Sequence, residues 1–328
     1  MRKELIDKAI KSINQFINRE TDMLPSVAEE GFSPIKTNKE NFHELAIFPN
    51  INTITAIDGG NGNILIAPNF SVDFVRIVAV SYFNNKKINT IIKEAILFIR
   101  ANEDGFSVES FGDNIVRINE LPNRIDTLDN EKYNLEITSV AGIIRRLAEL
   151  NMASKIIEGA VLVDGSIKAK IGQELNLIKR LKDKQIGFLS KTSKILTKNA
   201  SSLNFILNEL GPKSSWYYNP VFEIKNPNYL GELSFVKLHD KSKYVFKLET
   251  MKGIHLKEFV ELIKTNSNDS VFLGYPYPLI EADNLARVKN EEREYMKSIL
   301  LSKLENNERL QFLLTSVDAH DILDNIRF

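Results

Sequence analysis

The sequence predicts an α/β protein in which helices flank a mixed β-sheet, and three patterns predict it. Residues 54–83 carry runs of apolar and β-branched residues separated by turn signals, as expected for an antiparallel meander. Residues 133–157 then repeat apolar side chains with the helical period. Beyond them, short apolar strands alternate with helical segments, an arrangement that places strands parallel in one sheet.

The composition excludes several classes of site. The 328 residues include no cysteine, which rules out a disulfide scaffold, a thiol nucleophile, a Cys-ligated zinc site and an iron–sulfur cluster. The N-terminus is charged and amphipathic, and no stretch reaches about 18 uninterrupted apolar residues, so we expect a soluble cytoplasmic protein without a membrane contact. The 43 basic residues balance 43 acidic ones, which by itself argues against a nucleic-acid ligand.

The chain divides into an N-terminal segment, 1–50, and a main domain, 51–328. The N-terminal segment begins with an amphipathic helix over 1–20 and is expected to continue irregularly. In the main domain, turns at Gly-Gly-Asn-Gly and Pro-Asn separate the three strands of the meander, Ile54–Asp58, Asn63–Ala67 and Phe74–Phe83. Residues 86–125 are expected to form a further hairpin or an insertion.

The elements after the meander alternate between helix and strand. The helix over 133–157 precedes a buried strand at 160–163, and a helix, a strand and a helix are expected at 172–181, 186–189 and 193–210. Two β-rich segments and two helices then follow, at 216–224, 232–249, 256–265 and 279–304. Three antiparallel strands followed by helix, strand, helix and strand are the layout of the ribonuclease H-like fold, here with β-rich insertions.

Two strands deliver an aspartate at their carboxyl ends. Asp58 ends one apolar strand and precedes two glycines, and Asp164 ends another. Ligands of open α/β sheets bind at such strand ends. Two carboxylates at adjacent ends repel each other unless a cation lies between them, so the pair predicts a metal site. For the first motif, an Asp-Gly hairpin turn is the alternative.

A third carboxylate is expected from the helix before Asp164. The strand climbs about 13 Å in four residues, and a helix that descends beside it reaches the same height about eight or nine residues before its end near Ile157. Glu149 lies at that distance, whereas Glu136 would lie about 31 Å above the turn. We therefore prefer Glu149 and keep Glu136 as the second choice. Alternatively, Glu149 is a solvated charge or a partner of Arg145.

A rigid Tyr-Pro-Tyr-Pro turn at 275–278 precedes further acidic residues. We expect a short apolar strand at 271–273 before this turn and a helix after it, with Glu281 and Asp283 in the first helical turn. Either carboxylate can point back at the sheet edge as another ligand. Alternatively, both are acids that the helix macrodipole favours near a helix N-terminus.

Basic residues and one histidine accompany these motifs. Lys191 follows the strand after Asp164, where it can offset phosphate charge, and His320 can donate a proton or contact a phosphate. A plain surface position is the alternative for each. Residues 165–200 hold nine basic and two acidic residues, so the neutral total conceals a basic segment directly after Asp164. Such segments track phosphate backbones, although a solvated helix face has the same composition.

Seven motifs together resemble one known family. In chain order they read AIDGG, VRIVAVSYF, RRLAEL, VLVDGS, LSKTSK, GYPYPLIEADNLAR and, near the C-terminus, DAHDILD. This order resembles the NurA nucleases, which act with the hexameric HerA ATPase in the resection of DNA double-strand breaks. The resemblance spans about 50–328, and YPYPLIEADNLAR is its most specific element.

The resemblance implies a ribonuclease H-like nuclease domain over 51–328, a homodimer, and Mn²⁺- or Mg²⁺-dependent 5′–3′ exonuclease and single-strand endonuclease activities on DNA. It implies a carboxylate set for the metal that consists of Asp58, Glu149, Asp164 and Asp283. Lys191 and His320 would assist around the scissile phosphate.

The residues and the resemblance together predict two-metal phosphodiester hydrolysis. Two ions roughly 3.5–4 Å apart activate a water and stabilise the leaving 3′ oxygen, and all-oxygen ligation favours Mg²⁺ or Mn²⁺ over zinc. Two other functions stay open. An actin-like or sugar-kinase-like ATPase would use the Asp-Gly-Gly turn to bind phosphates, and a non-catalytic DNA-binding adaptor would need only the basic segment.

Overall fold

The computed structural model describes residues 2–17, 22–27, 29–46, 52–126 and 132–304. The helices are α1 (Arg2–Ile17), α2 (Ile137–Lys155), α3 (Gly172–Lys179), α4 (Leu203–Leu210), α5 (Leu256–Thr265), α6 (Tyr277–Ala286) and α7 (Asn290–Lys303). The strands are β1 (Pro25–Ser26), β2 (Phe32–Pro34), β3 (Phe42–Glu44), β4 (Ile54–Ala67), β5 (Phe70–Phe83), β6 (Lys86–Ala101), β7 (Gly105–Gly112), β8 (Glu120–Pro122), β9 (Arg124–Asp126), β10 (Lys132–Asn134), β11 (Ala160–Asp164), β12 (Ile186–Ser190), β13 (Leu196–Thr197), β14 (Trp216–Tyr218), β15 (Phe222–Ile224), β16 (Gly231–Lys237) and β17 (Phe246–Met251).

One sheet of eleven strands forms the centre of the protein. Its order is β3-β14-β16-β17-β12-β11-β4-β5-β6-β7-β8. Strand β11 pairs in parallel with β4 on one side and β12 on the other, and the remaining pairs of this sheet are antiparallel. The prediction of a mixed sheet with flanking helices is therefore confirmed.

The meander at the start of the domain differs from the prediction. The glycine-rich motif forms no turn, because β4 continues through it and pairs without interruption from Ile54 to Asn63 with β5. The three strands of the meander are consequently β4, β5 and β6, and β6 and β7 occupy most of the ambiguous segment 86–125. The glycines serve close packing instead. A Cβ at Gly59 would lie 2.7 Å from Glu149 Oε1 on α2, and one at Gly60 would overlap the Ala286 carbonyl oxygen on α6.

Helices cover both faces of the sheet, because side chains of a strand alternate between faces. Ile57 of β4 packs with Leu147 of α2 in one apolar cluster, which also includes residues of α3. Its neighbour Ala56 faces the opposite way, into a cluster with Phe259 of α5 and Leu279 of α6. Asp58 has the same parity as Ala56, so its side chain lies on the α6 face.

Strand pairing between distant segments and breaks in the predicted helices account for further differences between the predicted and observed elements. Residues 22–46, expected to be irregular, contribute three short strands, and β1 pairs with β13. That pairing holds 196–197 extended, so α4 begins at Leu203 rather than near 193. The predicted helix over 279–304 is two helices, since extended backbone at Arg287 ends α6. The predicted strand at 271–273 is a turn.

The predicted N-terminal helix is present as α1. None of its residues is buried, and its apolar stripe is exposed to solvent. No described helix is both long and apolar enough to cross a bilayer.

Candidate metal centre

The parallel pairing of β4 and β11 places two aspartates side by side. Val163 lies opposite Ile57 in the register, so the next residues, Asp164 and Asp58, are neighbours at the same level of the sheet. Asp58 is 7% exposed and accepts a hydrogen bond of 2.7 Å from the Gly59 backbone N–H. Asp164 is the last residue of β11 and is half-buried.

A third aspartate comes from helix α6. Pro278 lies in the first turn of this helix, where its missing N–H leaves no partner unsatisfied. The helix packs on β4 and β5 and presents Asp283 to the strand ends. One carboxylate oxygen each of Asp58, Asp164 and Asp283 lies within 4.8 Å of the others. Three aspartates from three elements far apart in sequence therefore converge on one point.

The charge of Asp58 is strongly disfavoured at this point. Burial, and then the charges of Asp164 and Glu149, raise the pKa of Asp58 to about 7, against the opposing effects of the Gly59 N–H and Lys191. Three carboxylates in a confined space repel one another unless positive charge lies between them. A divalent cation would supply this charge.

Lys191 supplies part of that charge. Its Nζ lies 2.9 Å from Asp283 Oδ1 and 3.3 Å from Asp164 Oδ2. Arg287, one turn after Asp283 on the sequence, donates to Asp283 Oδ2 at 2.7 Å. Partial burial raises the pKa of Asp283, but these two cations lower it by more, so the pKa lies below its ordinary value. The structure thus brings Lys191 together with Asp58, Asp164 and Asp283.

Glu149 approaches the cluster from the other face of the sheet. It is 3% exposed, and its carboxylate lies against Gly59, where the missing side chain leaves room. It forms ion pairs with Arg145 (3.7 Å) and Arg146 (3.4 Å). Burial raises the pKa of Glu149 despite the arginines, and the charge of Asp164 adds to this effect. Glu149 therefore acts on the cluster through its charge while its oxygens are held by the arginines.

The remaining predicted residues lie elsewhere. Glu136 is exposed at the N-cap of α2, about 20 Å along the helix from Glu149. Glu281 and Asp283 lie past the first turn of α6, contrary to the prediction, and Glu281 contacts Tyr82 and Lys87 instead of the cluster. His320 lies outside the described residues.

The sequence reasoning missed Tyr275. Its hydroxyl is buried beside the cluster and makes no hydrogen bond of regular geometry with any described residue, although it lies near enough to Asp164 to interact with that carboxylate. Burial raises its pKa above the ordinary tyrosine range, and the charges of Asp164, Asp58 and Asp283 add to the effect. The only sequence signal was its place in the Tyr-Pro-Tyr-Pro motif, which indicates a rigid loop but not a buried hydroxyl.

The basic segment 165–200 is divided between two ends of the sheet. Helix α3 connects the parallel strands β11 and β12 and must run back along them. Lys191 therefore lies at the carboxyl ends with Asp164. Lys184, beyond the end of α3, reaches the carbonyl of Ile156, just before β11 begins. The basic residues that follow α3 are thus remote from the carboxylates.

The NurA domain family model matches residues 52–288. The chain belongs to the NurA family. The resemblance seen in the sequence motifs is thereby confirmed, and with it the assignment to a family of DNA nucleases. All three aspartates and Lys191 lie inside the matched region.

Three solved structures are similar to this chain. The NurA nuclease from Sulfolobus solfataricus is similar with a TM-score of 0.53 and 16% identity, over 82% of this chain and 88% of that one. The catalytic domain of human Endonuclease V (TM-score 0.40, 15% identity) covers 77% of this chain and 86% of its own. Endonuclease V from Ciona intestinalis, in complex with inosine-containing DNA, has a TM-score of 0.41 and 12% identity, over 76% and 87%. No curated protein sequence gave a significant match. The NurA structure supports the ribonuclease H-like fold predicted from the order of elements.

The cluster suits a hard divalent cation. Its donors are carboxylate oxygens, which Mg²⁺ and Mn²⁺ prefer, and the chain has no cysteine to attract a softer metal. The unpartnered Tyr275 hydroxyl and the disfavoured charge of Asp58 both fit a site that binds a cation with its hydration shell. By contrast, the Asp-Gly-Gly motif does not form the phosphate-cradling turn that an ATPase would need, because Gly59 and Gly60 lie within β4 against two helices.

Proposed function

We propose that this NurA family protein is a metal-dependent DNA nuclease that hydrolyses phosphodiester bonds at the cluster of Asp58, Asp164 and Asp283. One observation carries the proposal. Three carboxylate oxygens within 4.8 Å of one another lie at the carboxyl end of β11, beside Asp58 within β4 and Asp283 on α6, inside the region that matches the family. A ligand-binding position at such strand ends is a general property of open α/β sheets.

The metal would be Mn²⁺ or Mg²⁺, as two ions held by Asp58, Asp164 and Asp283, with Glu149 as a further carboxylate. When bound, the ions supply a nucleophilic water near neutral pH and stabilise the leaving 3′ oxygen. Glu149 is supported by its Coulombic effect on Asp58, which indicates that its charge contributes to the same site.

Cationic side chains of the protein would neutralise the phosphate and orient the carboxylates. Lys191 already lies between Asp164 and Asp283, at the solvent-facing side of the cluster, where its ammonium can neutralise the scissile phosphate. Arg287 holds the second oxygen of Asp283 and so fixes the orientation of that carboxylate. His320 is proposed, from the family motif alone, to donate a proton or contact the phosphate.

The specific activities on DNA are inferred from membership of the NurA family. We infer 5′–3′ exonuclease and single-strand endonuclease activity in DNA end resection, in the cytoplasm, by a homodimer that works with a hexameric HerA-type ATPase. The domain that carries these activities is 51–328. The exposed apolar stripe of α1 supports a role for the N-terminal segment in binding another chain.

Cleavage of labelled single-stranded DNA tests the proposal. With Mn²⁺, the wild-type protein should cut a 5′-labelled oligonucleotide, and EDTA should abolish the cut. Asp58→Ala and Asp164→Ala should each lower the rate by at least about a thousandfold. Asp73→Asn is the matched control, because Asp73 is also a buried aspartate of this sheet, bound by Ser71 rather than by the cluster. Wild-type rates in either Ala variant would overturn the assignment.

The same assay separates the non-catalytic alternative. A DNA-binding adaptor would shift the labelled DNA in a native gel with or without EDTA and would not cut it under any metal. Labels on the 5′ and 3′ ends, used in separate reactions, report the polarity of cleavage. Repeating the reaction with a HerA-type ATPase and ATP measures the effect of the partner on the rate.

A further inference from the structure

A second, cationic cleft lies on the other side of the sheet from the aspartate cluster. It is formed by α2, α3 and the loop after β7, and it has a volume of about 530 Å³. Its lining includes Leu147 of α2, which belongs to the apolar cluster on the α2 face. Asp58 lies on the α6 face. The sheet therefore separates the cleft from the three aspartates, whereas Glu149 lies on the same helix as Leu147.

Three cations from three segments converge on this cleft. Arg117 comes from the loop after β7, Lys155 is the last residue of α2, and Arg180 follows α3. Among the described residues, no acidic side chain lines the cleft. Within the described part of the chain, none of the three side chains forms an ion pair or a hydrogen bond, in contrast to Lys191 at the metal site. Positive charge is thus concentrated there without an internal partner.

Amide side chains complete the lining. Asn114, Gln173 and Asn176 face the cleft, and their amide groups make no hydrogen bond with other described residues. Helix macrodipoles explain basic residues at the ends of α2 and α3. They do not explain Arg117, which lies on no helix. The three amides are exposed, and a ligand with several negatively charged acceptor oxygens would accept hydrogen bonds from them and from the three cations together.

We propose that this cleft binds phosphate groups of the DNA strand at a distance from the cleavage point. The proposal rests on the proposed function, since it takes the ligand to be the substrate of the nuclease. Lys155 and Arg180 lie near the start of β11, whereas Asp164 ends that strand, so these two cations are about 13 Å from Asp164 along the sheet. A strand must therefore extend several nucleotides past the cleavage point to reach them.

Binding in EDTA tests the cleft without any cleavage. Fluorescence anisotropy with a labelled single-stranded 20-mer, over a range of salt concentrations, compares the wild-type protein with the triple variant Arg117→Gln, Lys155→Gln and Arg180→Gln. The control variant carries three Lys→Gln changes of equal charge at exposed positions outside the cleft, Lys213, Lys252 and Lys257. Melting curves verify that both variants are folded.

We expect the cleft variant to lose at least about tenfold in affinity at 0.1 M salt and to lower the slope of log affinity against log salt by about 2, since each single-strand phosphate contact contributes about 0.7. The control should lose less than about twofold. Changing Arg117 and Arg180 to Lys should restore most of the affinity. Equal losses in the cleft and control variants would overturn the proposal.

Two further measurements are needed. One distinguishes DNA phosphates from free nucleotides as the ligand of the cleft, and the other distinguishes a failure of the cleft proposal from a failure of the proposed nuclease function. If dTMP displaces the 20-mer at equal total phosphate, the cleft takes free nucleotides and the proposal fails. Thymidine 5′-p-nitrophenyl phosphate is too short to span both sites, so its Mn²⁺-dependent hydrolysis should be unchanged in the cleft variant. Absence of this hydrolysis in the wild-type protein counts against the nuclease, whereas the binding data in EDTA still decide the cleft.

Discussion

Replacing Asp58 by Asn should stabilise the metal-free protein above neutral pH. Burial, and then the charges of Asp164 and Glu149, raise the pKa of Asp58 from 3.8 to about 7. The folded protein thus binds this proton more tightly than the unfolded chain does. Stability from this group is therefore full below about pH 4 and is lost as the pH rises to about 7. Asn has no charge, and its amide oxygen can still accept the Gly59 N–H.

The size of the effect follows from the pKa difference. About three pKa units correspond to about 4 kcal/mol of unfolding free energy, which is an upper bound because neighbouring carboxylates share the proton. With about 2 cal/mol/K of unfolding entropy per residue, a chain of this length would gain up to about 6 °C in melting temperature at pH 8, and less at pH 5.

Thermal unfolding in EDTA at pH 5 and pH 8 measures this gain. Addition of Mn²⁺ at pH 8 should raise the melting temperature of the wild-type protein and leave that of Asp58→Asn unchanged. Asp73→Asn should keep the Mn²⁺ response, since Asp73 is buried outside the cluster. A metal-free Asp58→Asn protein that melts below the wild type at pH 8 would refute the reasoning.

Three further predictions concern the surroundings of the cluster. Gly60→Ala should cost more than about 2 kcal/mol and lower cleavage, because its Cβ overlaps a backbone carbonyl of α6, whereas Gly62→Ala meets the flexible side chain of Arg293 and should cost less than about 1 kcal/mol in the same denaturation assay. Lys191→Gln should slow cleavage but tighten Mn²⁺ binding at least about twofold in calorimetry, since a competing cation is removed; weaker binding would contradict this. Tyr275→Phe should change metal-free stability by less than about 1 kcal/mol, since its hydroxyl makes no hydrogen bond of regular geometry with a described residue; a larger loss would show that its interaction with Asp164 is a full hydrogen bond.

The sequence predicts the carboxylate cluster better than the elements that carry it. Asp164 was placed correctly because a short apolar run that ends in Asp-Gly specifies a buried strand and its end. The motif at Asp58 looked like a turn, since local glycine preference contains no information about the helices that pack against Gly59 and Gly60. A glycine required by a close helix and a glycine required by a turn have the same letter in the sequence.

Long-range packing also determines which carboxylate joins Asp58 and Asp164 in the cluster. Glu149 was preferred from helix height, and the structure places it at the right level but on the opposite face of the sheet, held by Arg145 and Arg146. Asp283 reaches the cluster because α6 packs across β4 and β5, a contact between segments more than 200 residues apart. No local pattern in the sequence specifies that contact.

Calorimetric titration of Mn²⁺ into the metal-free protein tests the central claim most directly. We expect binding to the wild-type protein and to Asp73→Asn, and a loss of at least about tenfold in affinity in each of Asp58→Asn, Asp164→Asn and Asp283→Asn. Mn²⁺ binding of equal affinity in all five proteins would contradict the claim that these three aspartates form the metal site.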